Sequence, residues 1–512
     1  MKISKKQLSK VHPLLFGLNY ITLDNESYDI KDYPFLEEIF NKFVYEETEK
    51  EVVIQKAAQM GFSVLAIILS LFVVNNKKSV LYLLATRTDS YDFSASKVNP
   101  LIESSDYLTK LFSNATSVQH KRAKNANFYL RGSNSATQLK SISADMLVLD
   151  EWDEINKNNS DLAFDRLDAS NLKWVLKLST PTVPDVGIDK SYKETDQRKW
   201  FVKCKKCNSE QTPTWPDNVD FENKKYICSE CGSEINFNTS KGYWKTTNPK
   251  SEKIGYYINQ MVSPTKTAEQ LINTFKKAKG NQTKLANFYN SKLGLPYMQK
   301  GDRISTQQVL SLIDKDLIYT QKERQMGVDV GTYIDYEITE LQGNIKKVIK
   351  AGRAKKFKEL EDLIKQYNVK VAVIDKDPER REAVKLTENV RKKCLVFLCN
   401  YQDDMKKEEM KFDKKRNWVS VDRTATMDTS LARFKQNTIK LSPDIPECYA
   451  THIHNTIRVI EEKQRNNVKT QIARYRNTGD DHFAHANNYN EIAVYYYKNL
   501  YKNNEIGGIL IE

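Results

Sequence analysis

Residues 146–154 read Met-Leu-Val-Leu-Asp-Glu-Trp-Asp-Glu: four apolar side chains run directly into two carboxylates. A continuous apolar run of this length fits a strand covered on both faces, as in a parallel sheet flanked by helices. Such sheets bind ligands beyond the carboxyl ends of their strands, which is where Asp150 and Glu151 fall. The pair has the form of a Walker B motif, with Asp150 placed to hold Mg2+ through its coordination shell and Glu151 to polarise an attacking water. A core strand ending in solvated acids reads the same way, so an ATPase requires a phosphate loop upstream.

A candidate loop is present. Residues 51–54 read as a strand and 64–74 as a buried helix, joined by Gln55-Lys56-Ala57-Ala58-Gln59-Met60-Gly61-Phe62-Ser63. Strand, small-residue loop and helix together aim backbone amides and a helix N-terminus at a phosphate. The loop departs from the GxxxxGK[ST] form because Phe62 stands where the Lys would be. Lys56 can supply the charge from the other end, Gly61 permits the tight backbone and Ser63 is placed to ligate Mg2+. Further on, an apolar strand at 174–178 runs into Ser179-Thr180-Pro181. Hydroxyls at that strand end are placed to sense a γ-phosphate and pass its state to neighbouring elements.

Four of the seven cysteines form two knuckles, Cys204 with Cys207 and Cys228 with Cys231. This spacing suits a tetrahedral four-thiolate Zn2+ site, which is structural in character. Cys394, Cys399 and Cys448 lack metal spacing and read as buried thiols.

A second constellation lies toward the C-terminus. Met326-Gly327-Val328-Asp329-Val330-Gly331 reads as a strand with a central Asp; Gly343 turns it into a second strand at 346–351. A helix over 357–367 leads into an apolar strand ending at Asp375, the opening of an RNase H-like fold. Near the end, Gly479-Asp480-Asp481-His482-Phe483 opens a helix reaching about 497. Acids at a helix start also serve as caps. Three acids from separate elements, Asp329, Asp375 and Asp481, can instead converge on two Mg2+ or Mn2+ ions and support hydrolysis of a phosphodiester. Asp377 and Asp480 are the nearby alternatives to Asp375 and Asp481.

In this order, the motifs resemble the large terminase subunit of tailed bacteriophages, specifically its lambda-like branch. The resemblance spans residues 53–301 closely and most of the chain more loosely. It rests on the Lys-first, Gly-aromatic-Ser-last loop of Lys56, Gly61, Phe62 and Ser63, with Gln59 in the slot that holds Arg or Gln. It also rests on Asp150-Glu151, on Ser179-Thr180-Pro181, and on the run through Tyr192 and Asp196-Gln197-Arg198 to Cys204. The C-terminal Asp-His opening an apolar helix matches too. The resemblance implies an ATP-driven motor that moves double-stranded viral DNA into a procapsid and a metal-dependent endonuclease that cuts concatemeric DNA. It implies a small terminase subunit, a portal protein and a homo-oligomeric ring as partners, and the host cytoplasm as location.

The expected architecture is α/β: a helical segment over 1–45, a parallel-sheet P-loop ATPase over 46–198, a zinc ribbon over 199–245, a connector over 246–320 and an RNase H-like nuclease over 321–512. Net charge of +14 points to a polyanionic partner. No run of about 18 uncharged apolar residues occurs, so no membrane span is expected. Lys2, Lys5, Lys6 and Lys10 precede no apolar stretch, so no secretory signal is expected either. Two rival functions remain: a repair or restriction helicase-nuclease, and a zinc-ribbon DNA-binding protein without catalysis.

Overall fold

The computed structural model describes residues 5–501 apart from 24, 113, 240, 299–301, 321–322, 332, 403–404, 406–408 and 466–467. Lys2 and Gly301 therefore lie outside the described residues. The chain divides into two compact units, Met1–Met298 and Gln299–Glu512.

The first unit is built on β1 (Lys50–Lys56), α1 (Phe62–Asn75), β2 (Val80–Leu84), β3 (Ala126–Gly132), β4 (Met146–Asp150), β5 (Trp174–Ser179), β6 (Arg198–Lys203), β7 (Ile254–Ile258) and α2 (Ala268–Ala278). Across the sheet the strands run β6-β7-β1-β5-β4-β2-β3, each parallel to its neighbour. Every residue of β2 and β4 is buried, as unbroken apolar runs require in a sheet covered on both faces. The α1 helix is apolar on every side and correspondingly sunk in the core. Because β5 lies between β1 and β4, the phosphate loop, Ser179 and Asp150 all emerge at one sheet edge.

Two features depart from the sequence expectation. The strand β7, read as part of a connector, lies inside this sheet between β6 and β1. The ribbon is likewise no separate layer: β6 leads straight into its first knuckle, and Tyr243–Lys245 pairs back on β6. The N-terminal segment holds short helices at Lys5–Val11, Pro13–Tyr20 and Leu36–Lys42. Phe35, Ile39, Phe40 and Phe43 of that segment are fully buried. The Phe35 ring packs on Phe62 and Trp200, and its carbonyl accepts a 2.9 Å hydrogen bond from the Trp244 indole. This segment is thus part of the core behind the loop.

The second unit contains β8 (Arg324–Val330), β9 (Ile334–Gln342), β10 (Ile345–Ala354), β11 (Val369–Asp375), β12 (Leu395–Gln402), β13 (Trp418–Asp422), α3 (Arg423–Lys435) and α4 (His482–Tyr496). The first three strands form an antiparallel meander; β11, β12 and β13 add in parallel to β8 in the order β13-β12-β11-β8-β9-β10. This second sheet domain is expected from the sequence, but Gly343 does not turn the Asp329 strand into the strand at 346–351: β9 intervenes, and Gly343 joins β9 to β10. The α4 helix lies directly on β8. At Gly327 a Cβ would meet the Ala486 carbonyl and the Asn490 amide, each at 2.1 Å, so only glycine permits the approach.

Beneath α4 runs a polar seam. Lys346 and Glu337, both fully buried, pair at 2.9 Å, and Glu337 also accepts bonds from Tyr449 at 2.6 Å and Asn487. Arg433 on α3 grips Glu491 with Nε and Nη2, at 2.6 and 2.7 Å. Breaking one partner of such a desolvated network costs about 3–5 kcal/mol, so the seam fixes the seating of α4 and of the acid at its start.

Candidate functional site

Glu151 is the meeting point of the motifs in the first unit. Its Oε1 lies 3.2 Å from the ammonium of Lys56, the last residue of β1. Its Oε2 accepts from the Ser179 hydroxyl at 3.3 Å and the Thr180 amide at 3.4 Å. The backbone at Glu151 is left-handed, with φ 55°, so the chain turns sharply as it leaves β4 and lifts this carboxylate toward the loop. Lys56 is buried; the Glu151 side chain is 42 % exposed.

Asp150 sits deeper. It is 2 % exposed, accepts a 2.6 Å bond from the Tyr82 hydroxyl and caps the Glu151 amide at 3.1 Å. Burial, with the Glu151 charge beside it, pushes its pKa up to about 6, while Lys56 and Tyr82 pull the other way. A carboxylate held in this way gains stabilisation from a nearby cation, which is what the donor chemistry of an Mg2+ site requires. The phosphate loop turns through left-handed residues at Gln59, φ 58°, and Gly61, φ 82°. Phe62 and Ser63 open α1, so their amides have no partner within the helix. Phe62 is buried against Phe35, which explains an aromatic side chain at that loop position. Ser63 is half-buried and Gln59 exposed.

The four knuckle cysteines bring their sulfurs within 4.8 Å of one another. The closest cross-knuckle pairs are Cys204 with Cys231, at 3.8 Å, and Cys207 with Cys228, at 3.6 Å. Each knuckle closes alike: the Cys204 amide donates to the Ser209 carbonyl, and the Cys228 amide to that of Ser233. The turn residues are Asn208, φ 60°, and Gly232, φ 69°, both types that tolerate the left-handed conformation. Burial raises the Cys228 thiol, but hydrogen bonds from Ser209, Gln211 and the knuckle amides outweigh it and hold the pKa at about 5. Four convergent thiols, two of them (Cys204 and Cys228) lowered by hydrogen bonds, fit a structural Zn2+. Of the other cysteines, Cys394 and Cys399 are buried as expected, whereas Cys448 is partly exposed.

In the second unit, Asp329 and Asp375 leave adjacent parallel strands side by side, the preceding pair Val328 and Ile374 being in register. Burial and the Asp329 charge push Asp375 up to about 6. The His482 Nδ1 lies 2.9 Å from Asp329, and this bond raises the imidazole pKa. Asp481, at the start of α4, is 8 % exposed and lies 3.3 Å from His485. Burial works to raise Asp481, but the His485 hydrogen bond and the charges of His485, Arg423 and His482 keep it below the usual carboxylate range. The alternatives fall outside this group: Asp480 is exposed, and Asp377, 66 % exposed, pairs with Lys376. Among the described residues only the cysteines form a group of three or more metal-binding donors all within 4.8 Å; the acids are more widely spaced.

The model of the phage terminase large subunit gpA ATPase domain matches residues 25–245, and that of the gpA endonuclease domain matches 253–326. This chain belongs to the phage terminase large-subunit family. It carries the ATPase and endonuclease domains of a DNA-packaging enzyme, and the helicase and non-catalytic alternatives are not favoured. The HK97 bacteriophage large terminase shares its fold at 12 % identity and a TM-score of 0.56, over 94 % of this chain and 98 % of that one. The large terminase of a thermophilic bacteriophage aligns at 11 % identity and a TM-score of 0.30, over 86 % of this chain and 93 % of its own. The ATPase domain of a Thermus phage large terminase aligns at 15 % identity and 0.31, over 49 % and 90 %. No curated protein sequence matches.

Several site residues of this terminase escape sequence reasoning. Asp335 is fully buried, stands directly opposite Asp329 across β8 and β9, and is held by Arg353 at 2.7 Å. Its spacing across a tight hairpin was the available signal. Tyr82 has none, since it reads as one more apolar residue of β2. Tyr401 and Arg423 reach His485, at 3.2 and 3.3 Å, from elements remote in sequence.

Proposed function

We propose that Glu151 is the base-positioning carboxylate of the packaging ATPase and that Lys56 is shared between it and the substrate phosphates. The observation that carries this reading is the double engagement of Glu151, by Lys56 on one oxygen and by Ser179 and Thr180 on the other. A phosphate arriving at the loop competes for Lys56 and frees Oε1 to orient water, while the Ser179–Thr180 contact carries the change to β5. Asp150 and Ser63 are the Mg2+ ligands in this reading, and Gln59, Gly61 and Phe62 shape the loop. The decisive experiment is Glu151→Gln: ATP binding is retained while turnover falls about 10²–10⁴-fold. Equal loss of binding and turnover assigns Glu151 a folding role instead.

The nuclease centre in this reading is Asp329, Asp375 and Asp481. Asp329 and Asp481 are buried and Asp375 half-buried, and burial together with the Asp329 charge raises Asp375, a setting that suits hard divalent cations. Asp329, Asp375 and Asp481 would hold Mg2+ or Mn2+, which would supply activation of water and stabilisation of the leaving oxygen. His482 orients Asp329, and His485 orients Asp481. Asp377 and Asp480 are exposed, whereas Asp375 is half-buried and Asp481 buried, which favours Asp375 and Asp481. The Cys204, Cys207, Cys228 and Cys231 sulfurs hold Zn2+, which stiffens the sheet edge at β6. The enzyme then works in the host cytoplasm on double-stranded DNA, as a homo-oligomeric ring with a small terminase subunit and a portal protein. No helix among the described residues is long and apolar enough to cross a membrane.

A further inference from the structure

A cavity of about 350 Å³ opens beside α2, lined by Gln260, Lys266, Gln270, Asn273, Lys277 and Lys292, among others. Three of its side chains are cationic and none is acidic. Among the described residues no ion pair neutralises these lysines; Glu269, the acid on the same helix, is engaged by Lys224 at 2.6 Å. Burial, and secondarily the neighbouring Lys266 charge, lower the Lys292 pKa. The remaining polar lining consists of amides and a hydroxyl, which suit phosphate oxygens.

The cavity is tied to the phosphate loop. Gln260 Nε2 donates to the Ala58 carbonyl at 2.8 Å. The Ala58 amide in turn donates to the carbonyl of Ser291 at 2.8 Å, the residue before Lys292. Ala58 is therefore held on both sides by segments that line the cavity.

We infer that this cavity is a binding site for backbone phosphates of the DNA being packaged, and that its occupancy bears on the phosphate loop through Gln260 and Ser291. The inference rests on the packaging reading, but it concerns a surface separate from both catalytic centres. Lysines that neutralise phosphates release condensed counterions, so their number is readable from salt dependence.

The test uses the full chain and a short linear duplex, with binding followed by fluorescence anisotropy across a salt series. The double substitution Lys266→Gln with Lys277→Gln is expected to weaken binding and to flatten the slope of log affinity against log salt by about 1.8. Lys284→Gln, outside the lining, controls for net charge; an equal flattening there overturns the site. An unchanged slope in the double variant, with an unaltered thermal melt, also overturns it, and leaves the Glu151 and Asp329 assignments standing because they are read by ATP turnover and cleavage. Inorganic pyrophosphate is the second probe. Binding of pyrophosphate that depends on the lysines, with no change in the DNA slope, makes this a site for free phosphate compounds and refutes the DNA assignment. Gln260→Leu tests the link: at saturating DNA, stimulation of ATP hydrolysis is reduced. Full stimulation in that variant refutes the coupling.

Discussion

The two acidic centres of this terminase reach a similar end by opposite routes. Asp150 and Glu151 are consecutive residues at one strand end, separated in role by depth: Asp150 is 2 % exposed, while the Glu151 side chain is 42 % exposed. Their charge is offset by Lys56 on the next strand but one. Asp329, Asp375 and Asp481 come from two neighbouring strands and a helix start, and their offset comes from His482, His485 and Arg423. A permanent lysine charge suits a centre that must hold a nucleotide already carrying its own metal. Imidazoles are weaker counter-charges, and they leave the proposed nuclease acids available to cations of their own. A local motif is enough to fix the first centre, whereas the second exists only once the sheet has formed.

Removing one nuclease acid separates the two centres most strongly. Asp329→Ala and Asp481→Ala are each expected to abolish DNA cleavage, since the remaining acids cannot hold both ions. ATP hydrolysis measured in the same preparations is expected to persist, because its ligands lie in the other unit. Cleavage surviving Asp329→Ala would refute the nuclease centre, and loss of ATPase in that variant would refute the independence of the two. Asp480→Ala, next door but exposed, is expected to cut normally.

A smaller effect is expected at Lys56. Lys56→Met removes a charge-assisted contact to the phosphates, worth about 1.5–3 kcal/mol, so ATP affinity should fall by roughly ten- to a hundredfold. Isothermal titration against the wild-type chain reads this directly. Unchanged affinity would leave Lys56 as a partner of Glu151 alone and return the phosphate charge to some other residue.

The same contrast explains what the sequence discloses. The run of 146–151 shows its strand and its chemistry together, because the apolar stretch and the acids are contiguous. The cysteine spacing is equally local, and the structure closes it to within 4.8 Å. Choosing between Asp480 and Asp481 is beyond local pattern: adjacent residues differ only in where the α4 start turns them, and Gly327 and the Glu337–Lys346 seam set that turn. Those seam residues read as solvated charges in a chain this basic. The placement of β7 was hidden too, since Ile-Gly-Tyr-Tyr-Ile is short and gains its position only from pairing with β1.

The smallest expected effect concerns Asp375 and bears on whether its centre is built to receive cations. In the metal-free protein burial, reinforced by Asp329, raises this carboxyl from 3.8 to about 6. A raised carboxyl favours the fold while protonated, so its contribution is fully present below about pH 4 and is lost as pH rises through about 6. A rise of that size corresponds to about 3 kcal/mol, which partial solvent screening reduces to about 1–2 kcal/mol. Asp375→Asn keeps the shape and cannot ionise. The variant is therefore expected to be more stable than wild type by about that amount at neutral pH in chelator, and to lack this part of the pH dependence between about 4 and 6. Added Mn2+ should narrow or reverse the difference, because only the wild-type centre gains a full set of charged ligands. Thermal melts at several pH values, with chelator and with Mn2+, give all four curves. If the chelator curves of the two proteins run parallel in pH, the carboxyl is not held at a raised pKa. If Mn2+ stabilises both equally, Asp375 is not a ligand and the centre must be rebuilt around Asp329 and Asp481.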